Sequence, residues 1–360
     1  MSGADWRKLY ASNRAAIARG GIAPGEAMSL PSLAGAPNGM RASAPGLGGL
    51  SKLGRSGHQA LIHVARGLDP STPAPLVCML HGCTQDPATF AATTLMNDAA
   101  DRHGFVVLYP GQNRGDNPQG CWNWFLPEHQ RREVGEPAAI AALVRDLIET
   151  SPDCTVDTGR VFAAGLSSGG AMAAILAACY PDLFAAVAVH SGLPYNAATS
   201  MSSAFDVMAS GAADADAHGR AARAAMGDHA RPVPSIVIHG TADRIVAPAN
   251  AINVLRQSMT ANHLAAPESC DHDVARPTSS WRGKVERGGH AYTRSRWTDG
   301  RGALMHELLE VDGLGHAWSG GVAGGSHTDP RGPSATEAIW AFFALTAADP
   351  PRVRGLPDRS

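Results

Sequence analysis

From residue 58 onward, short apolar runs of strand length alternate with longer stretches of helical length. Runs such as LVCML, FVVLY, VFAAG and AAVAVH contain no polar alternation, a pattern typical of strands buried on both faces. Helical stretches follow them; one begins at Asp86-Pro87, where Asp suits the cap and Pro the first turn. The repeated order predicts an α/β fold with a mainly parallel sheet and helices on both faces.

Changes in composition divide the chain into three parts. Residues 1–57 predict a flexible N-terminal extension, because most of them after residue 20 are Gly, Pro, Ser, Ala and Met. Residues 58–348 form the predicted α/β domain, and 349–360 a C-terminal tail. Within the domain, the Ala/Met-rich insertion 195–230 is either a lid over the cleft or a packed helix. The segment 262–302 has weak periodicity and is left open between irregular loops and an antiparallel excursion.

Charge and composition exclude several classes of protein. The 360 residues carry 30 Lys and Arg against 32 Asp and Glu, a net charge of -2, without the basic footprint of a general nucleic-acid binder. No stretch approaches the roughly 20 apolar residues that span a bilayer. The N-terminus shows no secretory signal peptide, so both an intracellular protein and an exported one without its leader stay open.

The run Gly165-Leu166-Ser167-Ser168-Gly169 follows the strand VFAAG and precedes an Ala-rich helix. Such a strand–turn–helix G-x-S-x-G projects its serine above the carboxyl edge of the sheet, with Gly where the strand and helix backbones approach. We therefore predict that Ser167 is a hydroxyl nucleophile. The alternative is a tight Gly/Ser turn without chemistry.

A serine nucleophile needs a neutral imidazole that takes its proton and a carboxylate that orients the imidazole. In hydrolases of this architecture the acid follows the serine in the chain, and the histidine follows the acid. Asp243, after the strand SIVIHG, is the predicted acid, and His316, in a Gly-flanked loop after LLEV, is the predicted base. Asp312 and His327 are the second choices. The non-catalytic alternatives are a helix-capping or turn role for the Asp and a solvated loop position for the His.

An oxyanion needs preset donors, generally the amide after the nucleophile and a second amide from an earlier strand–helix loop. The amide of Ser168 is the first. The amide of Cys83, in the loop that follows LVCML with His81-Gly82, is the second. The alternative for this loop is an ordinary turn at the end of a strand.

Two tryptophans are candidates for substrate contact. Trp122 and Trp318 stand in loops near the expected strand ends, where aromatic rings could wall an acyl pocket; simple packing is the alternative. The run CDHD at 270–273 carries ligand-type side chains, but adjacent residues rarely converge on one metal. We therefore expect no metal and no cofactor.

The G-x-S-x-G run, the Asp243 and His316 loops, the Cys83 loop and the segments between them occur in an order that resembles the poly(3-hydroxybutyrate) depolymerase family of esterases. That family is itself similar to feruloyl and acetylxylan esterases. The resemblance covers about residues 58–346 and implies an α/β-hydrolase fold and a serine carboxylesterase. It assigns the nucleophile, acid and base to Ser167, Asp243 and His316, and the oxyanion amides to Cys83 and Ser168. The segments that carry it include LVCMLHGCTQDPATF, GFVVLYPGQN, CWNWF, RVFAAGLSSGGAMA, HGTADRIV and LGHAWSGG.

The resemblance also implies a substrate class and a setting. The expected substrates are polymeric or oligomeric 3-hydroxybutyrate-type esters, with feruloyl or acetyl esters of plant polysaccharides as the alternative. The expected partner is the ester alone, without nucleic acid, and the oligomeric state is open. An extracellular location is implied, with the cytoplasm as the alternative. Cys83 and Cys121 both lie in family-like loops, where they form either a bridge that braces the site or two reduced thiols.

A non-enzymatic interpretation is a hydrolase-like protein that only binds its ligand. Loss of a catalytic residue would be its expected sign, and the sequence supplies all three.

Overall fold

The computed structural model describes residues 50–55, 58–267, 270 and 272–346, and for 50–55 and 58 only the backbone. Contacts divide the chain between residues 44 and 45, and every described residue lies in the second unit, Pro45–Ser360. The rest of the predicted N-terminal extension and the predicted C-terminal tail lie outside the described residues.

A ten-stranded sheet forms the centre of this unit, and its six middle strands run parallel. The spatial order is β1-β2-β4-β3-β5-β6-β7-β10-β9-β8. A separate parallel pair, β11 and β12, lies in the loops after β10. The strands are β1 Leu50–Arg55, β2 His58–Val64, β3 Pro73–Leu80, β4 Val106–Pro110, β5 Thr155–Leu166, β6 Ala186–His190, β7 Ser235–Gly240, β8 Ser279–Lys284, β9 Ala291–Thr298, β10 Leu304–Val311, β11 Trp318–Ser319 and β12 Thr328–Asp329.

Helices cover both faces of the sheet, as the strand–helix alternation predicts, and each face has its own buried apolar cluster. The middle strands are buried almost throughout, which explains why their sequences read as unbroken apolar runs. The helices are α1 Pro87–Thr94, α2 Met96–His103, α3 Gly135–Thr150, α4 Ser168–Cys179, α5 Met201–Ser210, α6 Ala215–Met226, α7 Ala249–Ala265 and α8 Ala335–Thr346.

The helical stretch predicted from Asp86 is two helices instead of one. Asp86 caps α1 by accepting the backbone N–H of Thr89 at 2.8 Å, as its position predicts. Leu95 then adopts a left-handed conformation with φ of 62°, which ends α1 and starts α2 in a new direction. No proline or glycine marks this break, so the sequence pattern does not reveal it.

One edge of the sheet corrects the sequence prediction, and the other matches one of the two alternatives that the prediction left open. Residues 50–55 belong to the predicted flexible extension, yet they form β1 and pair antiparallel with β2 over its length. The segment 262–302 contains the antiparallel strands β8 and β9, the second of the two readings left open for it. Main-chain hydrogen bonds define these outer strands, and the side chains of β8 are largely exposed. Their sequences therefore lack the hydrophobic alternation from which a strand is predicted.

The described part of the chain shows neither a membrane-spanning helix nor a cluster of metal-binding side chains. Its helices include none that combines the length and apolar character needed to cross a bilayer. Among the same residues, no three His, Cys, Asp or Glu side chains gather closely enough to hold a metal ion.

Candidate active site

Ser167 lies in the turn between β5 and α4, at the carboxyl end of a central strand. Its backbone adopts φ of 58° and ψ of -118°, a conformation that non-glycine residues rarely take and that is typical of a nucleophile turn. The Ser167 N–H donates to the carbonyl oxygen of His190 at 2.9 Å, and the Ser167 carbonyl accepts the N–H of Ala171 at 2.9 Å. These hydrogen bonds hold the strained turn in place.

The two glycines of the motif are required by close backbone contacts. A Cβ atom on Gly165 would lie 2.3 Å from the backbone of Gly169, and a Cβ atom on Gly169 would lie 2.1 Å from the carbonyl oxygen of Leu80. No side chain fits at either distance. The G-x-S-x-G pattern therefore reflects the packing of β5, α4 and β3 around the turn, as the sequence predicts.

Asp243 and His316 meet across two loops at the same edge of the sheet. The Asp243 Oδ2 atom lies 2.7 Å from His316 Nδ1, although 73 residues separate them. The other oxygen, Oδ1, accepts the N–H groups of Ile245 and Val246 at 2.9 and 3.0 Å. Because the carboxylate is acceptor-only, His316 Nδ1 carries the proton, and Nε2 presents its lone pair.

The ring of His239 also lies close to the Asp243 carboxylate. Its Nε2 lies 3.0 Å from the Val246 carbonyl and 3.4 Å from Asp243 Oδ2, and the ring is almost fully buried. Burial alone would raise the pKa of the Asp243 carboxyl. The charge and N–H groups of His316 and His239 outweigh burial and hold that pKa well below its usual value, so Asp243 is ionised at any working pH.

His190 connects the nucleophile turn to the loop of the predicted base. Its carbonyl accepts the Ser167 N–H, and its Nε2 accepts the N–H of Ser319 at 3.1 Å. Burial, with His239 and His316 nearby, lowers the pKa of His190 to about 3. The ring therefore stays neutral, and Nδ1 donates to the hydroxyl of Ser191 at 3.2 Å.

The side chains of Ser167 and His316 make no hydrogen bond to each other within the described chain. Catalytic pairs are often long or poorly aligned until substrate binds, so this geometry does not remove His316 as the candidate base. The His327 ring stands edge-on to His316, with 6.5 Å between the ring centres. Burial and the charge of His316 lower the pKa of His327.

The second-choice acid lies elsewhere. Asp312 pairs with Arg282 at the surface, and its N–H donates to the carbonyl of Ala291. It therefore holds the β9–β10 edge, and the structure brings it to neither His316 nor His327 by a described contact.

The backbone N–H groups of Cys83 and Ser168, the two predicted oxyanion donors, are not used in hydrogen bonds within the described residues. Their side chains meet, with Cys83 Sγ 3.5 Å from Ser168 Oγ. A Cβ atom on Gly82 would lie 3.5 Å from the Cβ of Ser167, so the Cys83 loop lies against the nucleophile turn.

The His81 imidazole holds this loop from behind. Its Nε2 accepts the N–H of Gln112 at 3.2 Å, which leaves the proton on Nδ1, and Nδ1 donates to the Gly82 carbonyl at 2.9 Å. Burial lowers the pKa of His81, which favours the neutral ring that this arrangement requires.

A disulfide bond joins Cys83 to Cys121, one of the two states that the sequence leaves open. The Thr84 N–H also donates to the carbonyl of Gln119 at 2.7 Å, so covalent and main-chain bonds fix the same two loops together. The bridge therefore limits the movement of the residue whose amide is the predicted oxyanion donor.

Trp122 and Trp318 are both buried, which favours the packing alternative over the predicted substrate contact. Each indole is only 1% exposed. The Trp122 N–H donates to the carbonyl of His81, and the Trp318 N–H donates to the Thr336 hydroxyl. Trp318 also stacks on His190. Both rings thus pack in the core against residues of the site, Trp122 against His81 and Trp318 against His190.

The insertion 195–230 contains α5 and α6. A Cβ atom on Gly219 of α6 would lie 2.5 Å from Thr260 of α7, so α6 packs tightly on the domain. This contact favours the packed helix over the lid for that part of the insertion.

A cavity of about 540 Å³ opens at the carboxyl end of β4, the strand beside β3. Polar and charged side chains are frequent in its wall. The residues that line it are Gln59, Ala60, Leu61, Asp86, Pro87, Ala88, Gly111, Gln112, Asn113 and Arg114.

Three supporting residues were not anticipated: the side chains of His81, His190 and His239. Each directly follows or lies near the end of a strand, and the dipeptide His-Gly occurs at both His81 and His239. This repeated dipeptide at strand ends is the signal that could have indicated two of them.

Comparison with known proteins gives a family match. A family model described as "Esterase PHB depolymerase" matches residues 67–282. The poly(3-hydroxyalkanoate) depolymerase C of Paucimonas lemoignei is 39% identical over 201 residues, 55% of this chain and 47% of that protein. A feruloyl esterase B of Thermothelomyces thermophilus is 33% identical over 147 residues, 41% of this chain and 48% of that protein. The chain spans about half the length of the curated relatives it matches.

Among solved structures, an acetyl xylan esterase from Aspergillus awamori has the same fold. The TM-score is 0.63 at 20% sequence identity, and the match covers 83% of this chain and 100% of that one. This likeness confirms the predicted α/β-hydrolase fold.

Proposed function

This chain belongs to the Esterase PHB depolymerase family, as its motifs predict, and we propose that it is a serine carboxylesterase. The observation that carries the proposal is the Asp243–His316 pair at 2.7 Å, at the same edge of the sheet as the strained turn of Ser167. The matched family range contains Ser167 and Asp243 but ends before His316. The assignment of His316 therefore rests on its position and its bond to Asp243.

The proposed reaction proceeds through an acyl-enzyme. His316 Nε2 takes the proton of the Ser167 hydroxyl as Ser167 Oγ attacks the ester carbonyl. The Cys83 and Ser168 amides stabilise the oxyanion, and Asp243 stabilises the imidazolium. The C–O bond then breaks, and the alcohol leaves with the proton from His316. Water, activated by the same imidazole, hydrolyses the acyl-enzyme and restores Ser167.

We propose esters of 3-hydroxybutyrate type, oligomeric or polymeric, as the substrates. The support is the 39% identity to a poly(3-hydroxyalkanoate) depolymerase, which exceeds the 33% to a feruloyl esterase over a shorter match. Feruloyl or acetyl esters of polysaccharides are the second candidate, favoured by the fold shared with an acetyl xylan esterase.

We propose an extracellular or otherwise oxidising location. The disulfide between Cys83 and Cys121 supports it, because such bonds persist in oxidising compartments and are rare in the cytosol. Titration of thiols in protein purified under non-reducing conditions from its native compartment would test this proposal.

The test of the proposed activity compares wild type with Ser167→Ala on one panel of substrates. The panel contains acetyl, butyryl and feruloyl esters and 3-hydroxybutyrate oligomers. We expect wild type to cleave the oligomers best and the variant to lose at least about a thousandfold in kcat/KM. Equal rates for the two proteins would refute Ser167 as nucleophile, and preference for feruloyl or acetyl esters would support the second candidate.

A further inference from the structure

The Gln85 side chain joins two loops of the site that lie far apart in the sequence. It is only 2% exposed. Its Oε1 accepts the N–H of Gly82 at 3.0 Å, and its Nε2 donates to the carbonyl of Ser326 at 3.0 Å. Gly82 directly precedes Cys83, and Ser326 directly precedes His327. One amide side chain therefore bridges the oxyanion loop and the loop whose ring faces His316.

The Gln85 backbone and the His81 ring fix the direction of the Cys83 amide, and the Gln85 side chain holds the preceding Gly82 N–H. The Gln85 backbone N–H donates to the Gly82 carbonyl at 3.3 Å, and the His81 ring donates to the same oxygen. In a trans peptide the carbonyl oxygen and the following N–H point in opposite directions. No cis bond occurs among the described residues. Holding the Gly82 oxygen from one side therefore directs the Cys83 N–H to the other.

The same contacts set the position of the loop as well as its direction. A Cβ atom on Gly82 would meet Gln85 Oε1 at 3.2 Å and the Ser167 Cβ at 3.5 Å. The Gly82 backbone thus lies close to both the Gln85 amide and the Ser167 side chain. A displacement of Gln85 would let this segment move away from Ser167.

We propose that Gln85 is a positioning residue that holds the Cys83 amide in line with the developing oxyanion and couples it to the His327 loop. The proposal rests on the proposed esterase function. It requires a side chain that accepts at one end and donates at the other, at this length. Glu lacks the donor, and Met, which has a similar shape, lacks both groups.

The experiment compares Gln85→Met with a matched control, Gln257→Met. Gln257 is also buried and accepts a backbone N–H, from Tyr195 on another part of the fold. Both changes remove a buried amide, so both lower thermal stability. For each protein we would measure kcat and KM on a butyryl ester, the inhibition constant of a trifluoromethyl ketone, and the rate of labelling by a fluorophosphonate.

Loss of one oxyanion donor costs roughly a hundredfold to a thousandfold in kcat, and misalignment costs less. For Gln85→Met we expect a loss of about 10- to 100-fold in kcat, with KM within about threefold of wild type. The inhibition constant of the ketone, which forms an oxyanion on the enzyme, should rise in proportion. The control should keep its kcat within about threefold.

The labelling rate separates this proposal from the proposed function. If wild type reacts with the fluorophosphonate but cleaves no ester, the proposed function fails, and the two labelling rates still test Gln85. Folded Gln85→Met with wild-type kcat and labelling rate would overturn the positioning role, as would an equal loss in Gln257→Met. If Gln85→Met does not fold, Gln85→Asn replaces it, since its amide is too short to bridge both loops; at least a fivefold loss in labelling rate is then expected, and no loss overturns the proposal.

Discussion

Replacing Asp243 with Asn isolates the orientation of the catalytic imidazole from the shape of the site. In the native arrangement Oδ1 accepts two backbone N–H groups, at 2.9 and 3.0 Å, while Oδ2 accepts the His316 Nδ1 proton at 2.7 Å. The Asn oxygen is retained by the two backbone donors. Its NH₂ group therefore faces His316, which then accepts at Nδ1 and carries its proton on Nε2, so it cannot take the proton of Ser167.

The size of the effect follows from the cost of the alternative. To restore a competent imidazole, the amide must turn and place NH₂ against the N–H groups of Ile245 and Val246. Two buried donors then lose their acceptor, at about 1–3 kcal/mol each. The active tautomer is thus disfavoured by about 2–6 kcal/mol, which predicts a loss in kcat of roughly 30- to 25,000-fold.

The assay is hydrolysis of a butyryl ester at pH 8 by wild type, Asp243→Asn and Asp312→Asn. Asp312 pairs with Arg282 at the surface, so its variant should retain nearly all activity. A loss of less than tenfold in folded Asp243→Asn would refute the tautomer argument. A loss confined to Asp312→Asn would transfer the role of the acid to that residue.

Three further predictions concern the stability of the fold around the site. Reduction of the Cys83–Cys121 bridge, or a Cys121→Ser change, should lower kcat. It should also lower the unfolding free energy measured in urea by up to about 4 kcal/mol, because the bridge closes a loop of 38 residues. Unchanged kcat and unfolding free energy would contradict the bracing role. Gly169→Ala should lower the unfolding free energy by at least about 3 kcal/mol, because its Cβ would lie 2.1 Å from a carbonyl oxygen. The control Gly300→Ala has open space around the new Cβ and should change the unfolding free energy by less than about 0.5 kcal/mol. Equal melting temperatures for the two variants would refute this prediction. Burial lowers the pKa of His306 to about 3, so below pH 6.5 the unfolded chain binds a proton that the native one does not. As the pH is lowered from 6.5, the unfolding free energy of wild type should therefore fall by about 1.4 kcal/mol per pH unit more than that of His306→Gln. Parallel slopes for the two proteins would contradict this prediction.

The middle of the fold could be predicted, and candidates for the reactive residues could be named, because strict physical requirements govern both. The central strands read as unbroken apolar runs because both faces are buried, and Gly165 and Gly169 are needed where backbones touch. The proposed nucleophile, acid and base follow strand ends, and their order along the chain follows from the order of the strands. These features leave local signals in the sequence.

Other features could not be predicted because they depend on tertiary contacts. The strand Leu50–Arg55 forms through main-chain pairing with its neighbour, which requires no particular side chains. Trp122 and Trp318 stand in loops near strand ends, but the distance by which each ring sinks into the core is set by packing with distant residues. Gln85 gains its role from a loop 241 residues away along the chain. No local pattern encodes such a partner.

The most direct test of the account is the site of covalent modification by a fluorophosphonate, mapped by peptide mass spectrometry. The account predicts a single adduct, on Ser167, which forms in wild type and is lost in Ser167→Ala. An adduct on Ser168 or on any other residue, or an adduct that persists in Ser167→Ala, would contradict the claim that Ser167 is the nucleophile.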